Sequence, residues 1–383
     1  MQVSRKLEQH IAVFGESGSG KTVLLSSFYG ATQEPHYLQK SLFNVVADDI
    51  GQGSRLQRNY LGMRDAAKVP DTTRFAATSY SFSVKLRDDS DNNAAKNRPF
   101  DAVRLVWHDY PGEWFEQNVS GSEEAQRRID TFKSLLGSDV AFLMVDGQRL
   151  MDNEGEEERY LKSLFSNFRN ALLTLKDDLL DDGKPLVEFP RIWIIALSKA
   201  DLFPEMNVYK FRDLLIGKVC DEIDELRKAL AGLIEGSSAL SVGEDFVLLS
   251  SAKFDPGKIS VTERIGIELI LPIATVLPFE RHVRWMHAKE LPGKVAENLL
   301  RGAGTLAVAL VGRNSKVPGR VGRMLKSLDP RLVDEAARLA GDQLKKMNSD
   351  AQSKHEQMQA VLTGFKIELG KGERDQILLR SLR

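Results

Sequence analysis

Eight residues near the start of the chain, Gly15 to Thr22, read Gly-Glu-Ser-Gly-Ser-Gly-Lys-Thr. This is the pattern G-x-x-x-x-G-K-T of the P-loop, whose backbone N–H groups close around phosphate oxygens at the start of a helix. Residues 10–14 are apolar enough for a buried strand, and residues 23–29 can begin a helix. A strand, a glycine-rich turn and a helix in this order favour an α/β fold that binds nucleotide phosphates.

The residue types in the loop fit that chemistry. Glycine allows the backbone to approach an anion closely. Lys21 is expected to reach the β- and γ-phosphates, and the Thr22 hydroxyl is expected to bind Mg²⁺. An accidental glycine-rich turn is the alternative, and the flanking strand and helix argue against it. The candidate phosphate-binding residues are Gly15, Glu16, Ser17, Gly18, Ser19, Gly20, Lys21 and Thr22.

The composition is that of an ordinary soluble globular protein. The chain has 383 residues, of which 42% are hydrophobic and 28% charged, and its formal net charge is −1. This charge predicts no generic binding to nucleic acid. The only cysteine is Cys220, so no disulfide can form within the chain, which fits a reducing compartment. With no signal peptide and no long apolar run in the sequence, a cytoplasmic location is predicted.

Six segments are predicted to be strands, and they alternate with predicted helices. Several of these strands are apolar throughout, as expected when both faces of a parallel sheet are buried. The fold class is therefore predicted as α/β, with a mostly parallel six-stranded sheet covered by helices on both faces. The six predicted strands are residues 10–14, 78–86, 102–108, 140–145, 192–197 and 246–249.

The character of the sequence changes after about residue 277. Ten lysines and arginines lie between residues 281 and 326 against two glutamates, a local net charge of +8. Two helices are predicted after this basic segment, at 330–348 and 350–368. We therefore predict a P-loop domain over residues 1–278 and a helical C-terminal extension over residues 279–383.

Three further motifs follow predicted strands. The third strand is followed by D-x-x-G, Asp109 to Gly112, and the fifth by Ser-Lys-Ala-Asp, 198–201. The sixth is followed closely by Ser-Ala-Lys, 251–253. Ligands of such sheets bind beyond the carboxyl ends of the strands, so these motifs and the P-loop are expected to form one site.

The order and spacing of the four motifs resemble the Ras-like, translation-factor-related (TRAFAC) class of P-loop GTPases over about residues 8–278. The string Asp-Tyr-Pro-Gly-Glu-Trp at 109–114 further resembles the bacterial YcjX-like GTPases. The resemblance implies a six-stranded sheet, Mg²⁺ as cofactor, hydrolysis of GTP, and switching between GTP and GDP forms. It also implies that Asp109 holds Mg²⁺ through water and that the Gly112 N–H senses the γ-phosphate.

For the nucleobase, the resemblance implies that Asp201 accepts the N1–H and N2–H of guanine, which adenine cannot offer. Lys199 would lie along the base and the P-loop. The third motif, Ser251, Ala252 and Lys253, would contact the guanine carbonyl. Ser198 stands where the family has Asn, so the sequence leaves the choice between GTP and ATP open.

The residues that act on the attacking water are less clearly marked. Glu113 follows the D-x-x-G motif where many small GTPases have Gln, and it is either catalytic or a structural acceptor. The switch threonine that binds Mg²⁺ is predicted as Thr72, narrowly favoured over Thr73. The predicted catalytic residues are thus Lys21, Glu113 and Thr72, and the predicted Mg²⁺ ligands are Thr22, Thr72 and Asp109.

The sequence therefore predicts a GTPase switch. Two other functions are open: a nucleotide-dependent scaffold with little hydrolysis, or a P-loop ATPase or kinase. No arginine that would accelerate hydrolysis can be named from the sequence. Intrinsic turnover is expected to be slow, and a protein partner or a second copy of the chain is expected to raise it.

The basic segment 281–326 has two interpretations. It could dock on an anionic surface such as the inner face of the membrane, since each basic group there contributes about 1 kcal/mol. Its charges could instead face acidic helices of the same chain, such as 154–158. The second interpretation is favoured, because the apolar stretch 306–311 is too short to span a bilayer and glycines interrupt the segment.

Overall fold

The computed structural model describes residues 8–41, 43–70, 78–86, 103–109, 112, 121–287 and 354–381. The predicted site residues Thr72 and Glu113 lie outside these ranges, as do the predicted helix 330–348 and most of the basic segment 281–326.

Most strands of the described chain form one sheet of eight, and two form a separate hairpin. The strands are β1 (Glu8–Phe14), β2 (Phe43–Ala47), β3 (Thr78–Leu86), β4 (Val103–Asp109), β5 (Val140–Asp146), β6 (Ile192–Ser198), β7 (Asp245–Leu248), β8 (Lys253–Asp255), β9 (Lys258–Ser260) and β10 (Leu378–Leu379). The order across the sheet is β10-β7-β6-β5-β1-β4-β3-β2, and β8 and β9 pair only with each other.

The centre of the sheet is parallel and its two sides are antiparallel. β1 lies parallel to β4 and β5, and β5, β6 and β7 continue in the same direction. β3 runs antiparallel to β4 and β2, and β10 runs antiparallel to β7. The carboxyl ends of β1, β4, β5, β6 and β7 therefore meet at one edge of the sheet.

Helices cover both faces of the sheet. They are α1 (Lys21–Thr32), α2 (Pro35–Lys40), α3 (Ile50–Ala66), α4 (Ser122–Leu136), α5 (Gly147–Asp152), α6 (Glu157–Thr174), α7 (Lys176–Leu179), α8 (Val208–Ala231), α9 (Ile270–Thr275), α10 (Leu277–His287) and α11 (Lys354–Arg374). Alternate residues of β1 enter opposite layers, because successive strand side chains point to opposite faces. Ile11 packs with α1, α9 and α11, whereas Ala12 packs with α4, α6 and α8.

The prediction of a mostly parallel α/β sheet with helices on both faces is confirmed, but the sheet has eight strands instead of six. β2 is an antiparallel edge strand in a segment for which no strand was predicted. β10 is only two residues long, so its sequence cannot show the alternation of apolar and polar residues that indicates a strand. Local periodicity cannot detect strands this short, because pairing with a distant partner stabilises them.

Residues 354–381 pack against the sheet. In α11, Leu362, Phe365 and Leu369 are almost fully buried in the same core as α9. β10 then pairs with Phe246 and Val247 of β7. The division of the chain at residue 278 stays a prediction, and within the described residues this C-terminal stretch completes the sheet of the P-loop unit.

The first arginine of the basic segment has a partner inside the fold. Arg281 is fully buried, and its Nη2 donates to Asp245 Oδ1 at 2.5 Å. The backbone N–H of Ser381 donates to the same oxygen at 2.9 Å. Asp245 therefore joins α10, β7 and the residues after β10, and Arg281 is its buried cationic partner.

The acidic residues proposed to face the basic segment have other partners. Glu156 pairs with Arg159, Glu157 with Lys218 and Glu158 with Lys162, at N–O distances from 2.5 to 3.2 Å. These exposed pairs each contribute little stability. They nevertheless show that Glu156, Glu157 and Glu158 have cationic partners that do not come from the basic segment. Over the described ranges, no helix is long and apolar enough to cross a membrane.

Candidate functional site

The P-loop joins the end of β1 to the first residue of α1. Gly18 and Gly20 have φ values of 81° and 89°, a left-handed conformation that glycine adopts without strain. The loop turns so that α1 starts at Lys21. Backbone N–H groups at this point have no partner within the helix, which makes the turn a site for anions.

The ammonium group of Lys21 lies inside the loop. Its Nζ donates to the carbonyl oxygens of Gly15 at 2.7 Å and Glu16 at 2.9 Å. Only 7% of Lys21 is exposed. The cation is thus held by the backbone that would surround a phosphate, which fits its predicted role.

Two predicted Mg²⁺ ligands lie next to each other. Asp109 is the last residue of β4, Thr22 is the second residue of α1, and Thr22 Oγ1 donates to Asp109 Oδ2 at 3.4 Å. Asp109 is only 2% exposed. A hydroxyl and a carboxylate are the hard oxygen donors that Mg²⁺ takes at phosphate sites, so these two residues fit the ion. The third predicted ligand, Thr72, lies outside the described residues.

Gly112 packs directly against the P-loop. A side-chain Cβ at this position would lie 2.4 Å from the Ser17 N atom and 2.7 Å from the Glu16 carbonyl oxygen. Those distances are too short for any side chain, so only glycine fits. The D-x-x-G motif and the P-loop, far apart in sequence, are therefore in contact, as one shared site requires. Glu113 lies outside the described residues.

Lys199 has a partner that was not predicted. Lys199 follows β6 in a left-handed backbone conformation, with φ 52°. Its Nζ lies 2.8 Å from Oδ1 and 3.0 Å from Oδ2 of Asp146, a residue only 2% exposed. Asp146 ends β5 and is level with Ser198 in β6. Its position, where an apolar strand meets Gly147, was the available signal, since such strand ends carry ligand-binding groups.

The carboxylate of Asp201 is held by Ser250. Ser250 Oγ donates to Asp201 Oδ1 at 2.6 Å and also contacts the Ala252 carbonyl oxygen at 2.9 Å. The predicted motif began one residue later, at Ser251, and Ser250 itself was missed. Ser250 is 2% exposed, so the carboxylate of Asp201 is held from the buried side of the site.

The remaining predicted base-site residues lie around this contact. Ser198 donates from its hydroxyl to the Val145 carbonyl oxygen at 3.2 Å, which joins β6 to β5. Ala252 is buried. Lys253 begins the β8–β9 hairpin and is half-exposed, with Glu263 at 3.8 Å.

Arg149 is a further contact to the P-loop that the sequence did not indicate. This residue lies on α5, and its Nη1 is 2.9 Å from Glu16 Oε2. Its Nη2 donates to the Ser17 carbonyl oxygen at 3.3 Å. A cation thus touches two consecutive residues of the phosphate loop from a helix at the end of β5.

The four sequence motifs all lie at the carboxyl edge of the parallel strands. The structure brings Thr22 to Asp109 and Gly112 to Ser17, the residues predicted to serve the phosphates and Mg²⁺ and their neighbour in the P-loop. It brings Lys199 to Asp146 and Asp201 to Ser250, around the residues predicted to serve the base. Such an edge can hold a nucleoside polyphosphate, with separate groups for phosphate, metal and base.

A family model described as Double-GTPase 2 matches residues 9–229. Among solved structures, the chain is similar to the signal recognition particle receptor SRb-GTP/SRX complex from Chaetomium thermophilum, at 18% identity over 66% of this chain and 95% of that chain, with a TM-score of 0.34. It is also similar to nucleolar GTP-binding protein 1 from Plasmodium falciparum, at 12% identity over 78% of this chain and 97% of that chain, with a TM-score of 0.32. No curated protein matches the chain.

Proposed function

The chain belongs to the Double-GTPase 2 family, and we propose that it binds GTP with Mg²⁺, hydrolyses it to GDP, and acts as a nucleotide-dependent switch. The observation that carries the proposal is the meeting of Lys21, Thr22, Asp109 and Gly112 at one strand edge. Phosphoryl transfer to water requires a phosphate loop and oxygen donors for Mg²⁺. Here the loop, two such donors and the contact of Gly112 with the loop backbone lie together.

Lys21 supplies positive charge at the phosphates. Its ammonium group exchanges the carbonyl oxygens of Gly15 and Glu16 for phosphate oxygens when a nucleotide fills the loop. This exchange costs little, because one set of charge-assisted hydrogen bonds replaces another. Thr22 and Asp109 hold Mg²⁺, which neutralises the charge that develops on the β- and γ-phosphates.

Base selectivity is assigned to Asp201. Ser250 fixes one carboxylate oxygen of Asp201, at 2.6 Å, so the carboxylate is oriented before the base arrives. A carboxylate pairs with the N1–H and N2–H of guanine, and adenine would leave it without those donors. A site built around such a group discriminates strongly.

Hydrolysis is proposed as in-line attack by water, with positioning and charge neutralisation as the sources of rate. Thr72 remains the proposed third Mg²⁺ ligand, and Glu113 remains the proposed neighbour of the attacking water. A protein partner or a second copy of the chain is proposed to accelerate turnover. A cytoplasmic location and the closer resemblance to YcjX-like GTPases also remain predictions.

The experiment compares the purified parent with Lys21→Ala. Affinities for GTP, GDP and ATP are measured, followed by phosphate release under multiple turnover. We expect the parent to prefer guanine nucleotides and release phosphate, and Lys21→Ala to lose both properties while remaining folded. Lys210→Ala is the matched control, because this lysine on α8 donates to the Glu205 carbonyl oxygen and contacts no P-loop residue in the described chain.

Each other result assigns a different function. Equal or tighter binding of ATP would make the protein an ATPase or kinase, for which Ser198 in place of Asn is the sequence argument. Binding of GTP with phosphate release no faster than in Lys21→Ala would make it a scaffold. Unchanged binding and hydrolysis in Lys21→Ala would reject the P-loop assignment.

Contact with an anionic membrane surface through 281–326 remains a separate proposal. Arg281 is buried against Asp245, so it is not available for such contact and the remaining basic residues would have to supply it. Co-sedimentation with anionic vesicles at low and moderate salt tests the idea, because electrostatic binding weakens as salt rises. Absence of binding at low salt would remove it.

A further inference from the structure

Glu16 is an acidic residue inside a loop assigned to polyphosphate. Its side chain is only 11% exposed. Its carbonyl oxygen accepts from Lys21 Nζ at 2.9 Å, and Gly112 packs against the same peptide unit. Both Lys21 and Gly112 of the D-x-x-G motif therefore contact the backbone of the residue that carries this carboxylate. Without a counter-charge, it would repel the phosphates of any nucleotide bound in the loop.

Arg149 supplies that counter-charge. Its guanidinium binds the carboxylate of Glu16 at 2.9 Å and the carbonyl oxygen of Ser17 at 3.3 Å. The first contact cancels charge, and the second fixes the backbone of the next residue. A planar guanidinium can make both contacts at once, whereas an ammonium group on a flexible stem cannot reproduce that geometry.

The helix that carries Arg149 is itself fixed to the base side of the site. Asp146 precedes α5, accepts from the N–H of Gln148 at 2.9 Å, and binds Lys199. Arg149 lies three residues after Asp146, on the short helix α5 that Asp146 caps. Asp146 thus contacts the base-side loop, and Arg149 contacts the phosphate loop.

We propose that Arg149 is a positioning residue that neutralises Glu16 and holds the P-loop in the conformation that binds a triphosphate. This inference rests on the proposed binding of guanine nucleotides. It assigns Arg149 no contact with the nucleotide and no part in bond breaking. Its effect on affinity passes through Glu16 and Ser17, so the charge of Glu16 determines the size of the effect.

The expected results follow from charge. Arg149→Ala removes the counter-charge that this guanidinium gives the Glu16 carboxylate, and GTP affinity falls roughly tenfold, the size expected for loss of an interaction with a charged group. GDP affinity falls less, roughly threefold, because GDP carries one phosphate group fewer and Coulomb repulsion scales with charge. The loss shrinks as salt is raised, since the pair is partly exposed and is screened. Arg149→Lys keeps the charge but only one of the two contacts, so it retains part of the affinity.

Removing the carboxylate gives the decisive comparison. Glu16→Gln combined with Arg149→Ala is expected to recover most of the GTP affinity lost in Arg149→Ala, because the carboxylate that Arg149 neutralises is then removed as well. A merely structural role of Arg149 would produce no such recovery. Glu16→Gln alone, in which Arg149 keeps its charge, is expected to bind GTP at least as tightly as the parent.

The experiment measures GTP and GDP affinities of the parent and these four variants at two salt concentrations. Arg212→Ala is the matched control, since this exposed arginine on α8 pairs with Asp213, away from the P-loop. If Arg149→Ala does not fold, Glu16→Gln still tests the charge argument: weaker GTP binding, relative to GDP, would overturn it. Equal affinities in parent and Arg149→Ala, or no recovery in the double variant, would overturn this inference alone. Failure of the parent to bind either nucleotide would overturn the proposed function and this inference with it.

Discussion

The ammonium group of Lys199 lies within 3.0 Å of both carboxylate oxygens of Asp146. Asp146 is the last residue of β5, Lys199 directly follows the neighbouring parallel strand β6, and the acid is almost completely buried. A buried carboxylate is costly unless it is paired, and Lys199 supplies the counter-charge of Asp146. The partner of the predicted base-site lysine therefore comes from a different strand end.

Asp146→Asn is expected to weaken GDP binding. An amide cannot hold the lysine by charge, and hydrogen bonds to charged groups contribute about 1.5–3 kcal/mol, so the loss is roughly tenfold. Equilibrium binding of a fluorescent GDP analogue measures it. Asp152→Asn, at the end of the helix that Asp146 caps, is the control, and it should bind as the parent does. Equal affinity in both variants would show that the Asp146 contact does not position Lys199 for the base.

Asp201→Asn is expected to change base preference from guanine toward xanthine. The carboxylate offers two acceptors, whereas the amide offers one acceptor and one donor, which matches the additional carbonyl of xanthine. Competition between GDP and XDP measures the ratio of affinities. Ser250→Ala should weaken GDP binding without a change of preference. An unchanged ratio in Asp201→Asn would reject the guanine assignment.

Thr22→Ala is expected to abolish the Mg²⁺ dependence of GTP binding. The variant loses one of the proposed metal ligands, and a metal contact at a phosphate contributes several kcal/mol, so affinity falls by roughly 100-fold or more. Titration of GTP with and without Mg²⁺ measures this. Thr22→Ser keeps the hydroxyl and should keep the dependence. If Thr22→Ala retained a full Mg²⁺ effect, Thr22 would not be a ligand.

Stability is expected to fall in mild acid because of His282. Burial, together with the nearby charge of Arg191, lowers the pKa of His282 to about 4. The unfolded chain has a histidine pKa of about 6.5, so it binds the proton first as pH falls. The contribution is fully present above pH 6.5 and is lost as pH falls toward 4, at roughly 1.4 kcal/mol per pH unit.

Denaturant titrations of the parent and His282→Gln from pH 7.5 to 4.5 measure this contribution. The variant should show a shallower loss of the free energy of unfolding between pH 6.5 and 4.5. Other buried groups titrate in both proteins, so only the difference between the two curves is attributed to His282. Parallel curves would contradict the assignment.

Leu378→Ala is expected to destabilise the fold. Leu378 is fully buried in the pairing of β10 with β7, and truncating a buried leucine lowers the free energy of unfolding by roughly 2–5 kcal/mol. Chemical denaturation measures the change. Leu379→Ala, at the partly exposed neighbour, should cost less. A larger effect at Leu379 would mean that β10 pairs in another register.

The residues proposed to bind the phosphates and the base stand in contiguous sequence motifs. The P-loop, Asp109, Gly112 and Asp201 could be predicted because each stands at a fixed position in a short pattern. Asp146, Ser250 and Arg149 could not, because each acts through a residue 53, 49 or 132 positions away. Their positions depend on which strand ends and helices become neighbours, which only the assembled sheet determines.

The pairing of β10 with β7 has a consequence for synthesis of the chain. About 130 residues separate the two strands, which at roughly 5–20 residues per second corresponds to on the order of ten seconds of translation. No other described strand occupies that side of β7. During this interval β7 is an unpaired edge strand of the nascent chain, and the exposed N–H and C=O groups of such a strand can pair with other chains. Protection of the growing polypeptide therefore matters most between the emergence of β7 and that of residue 378.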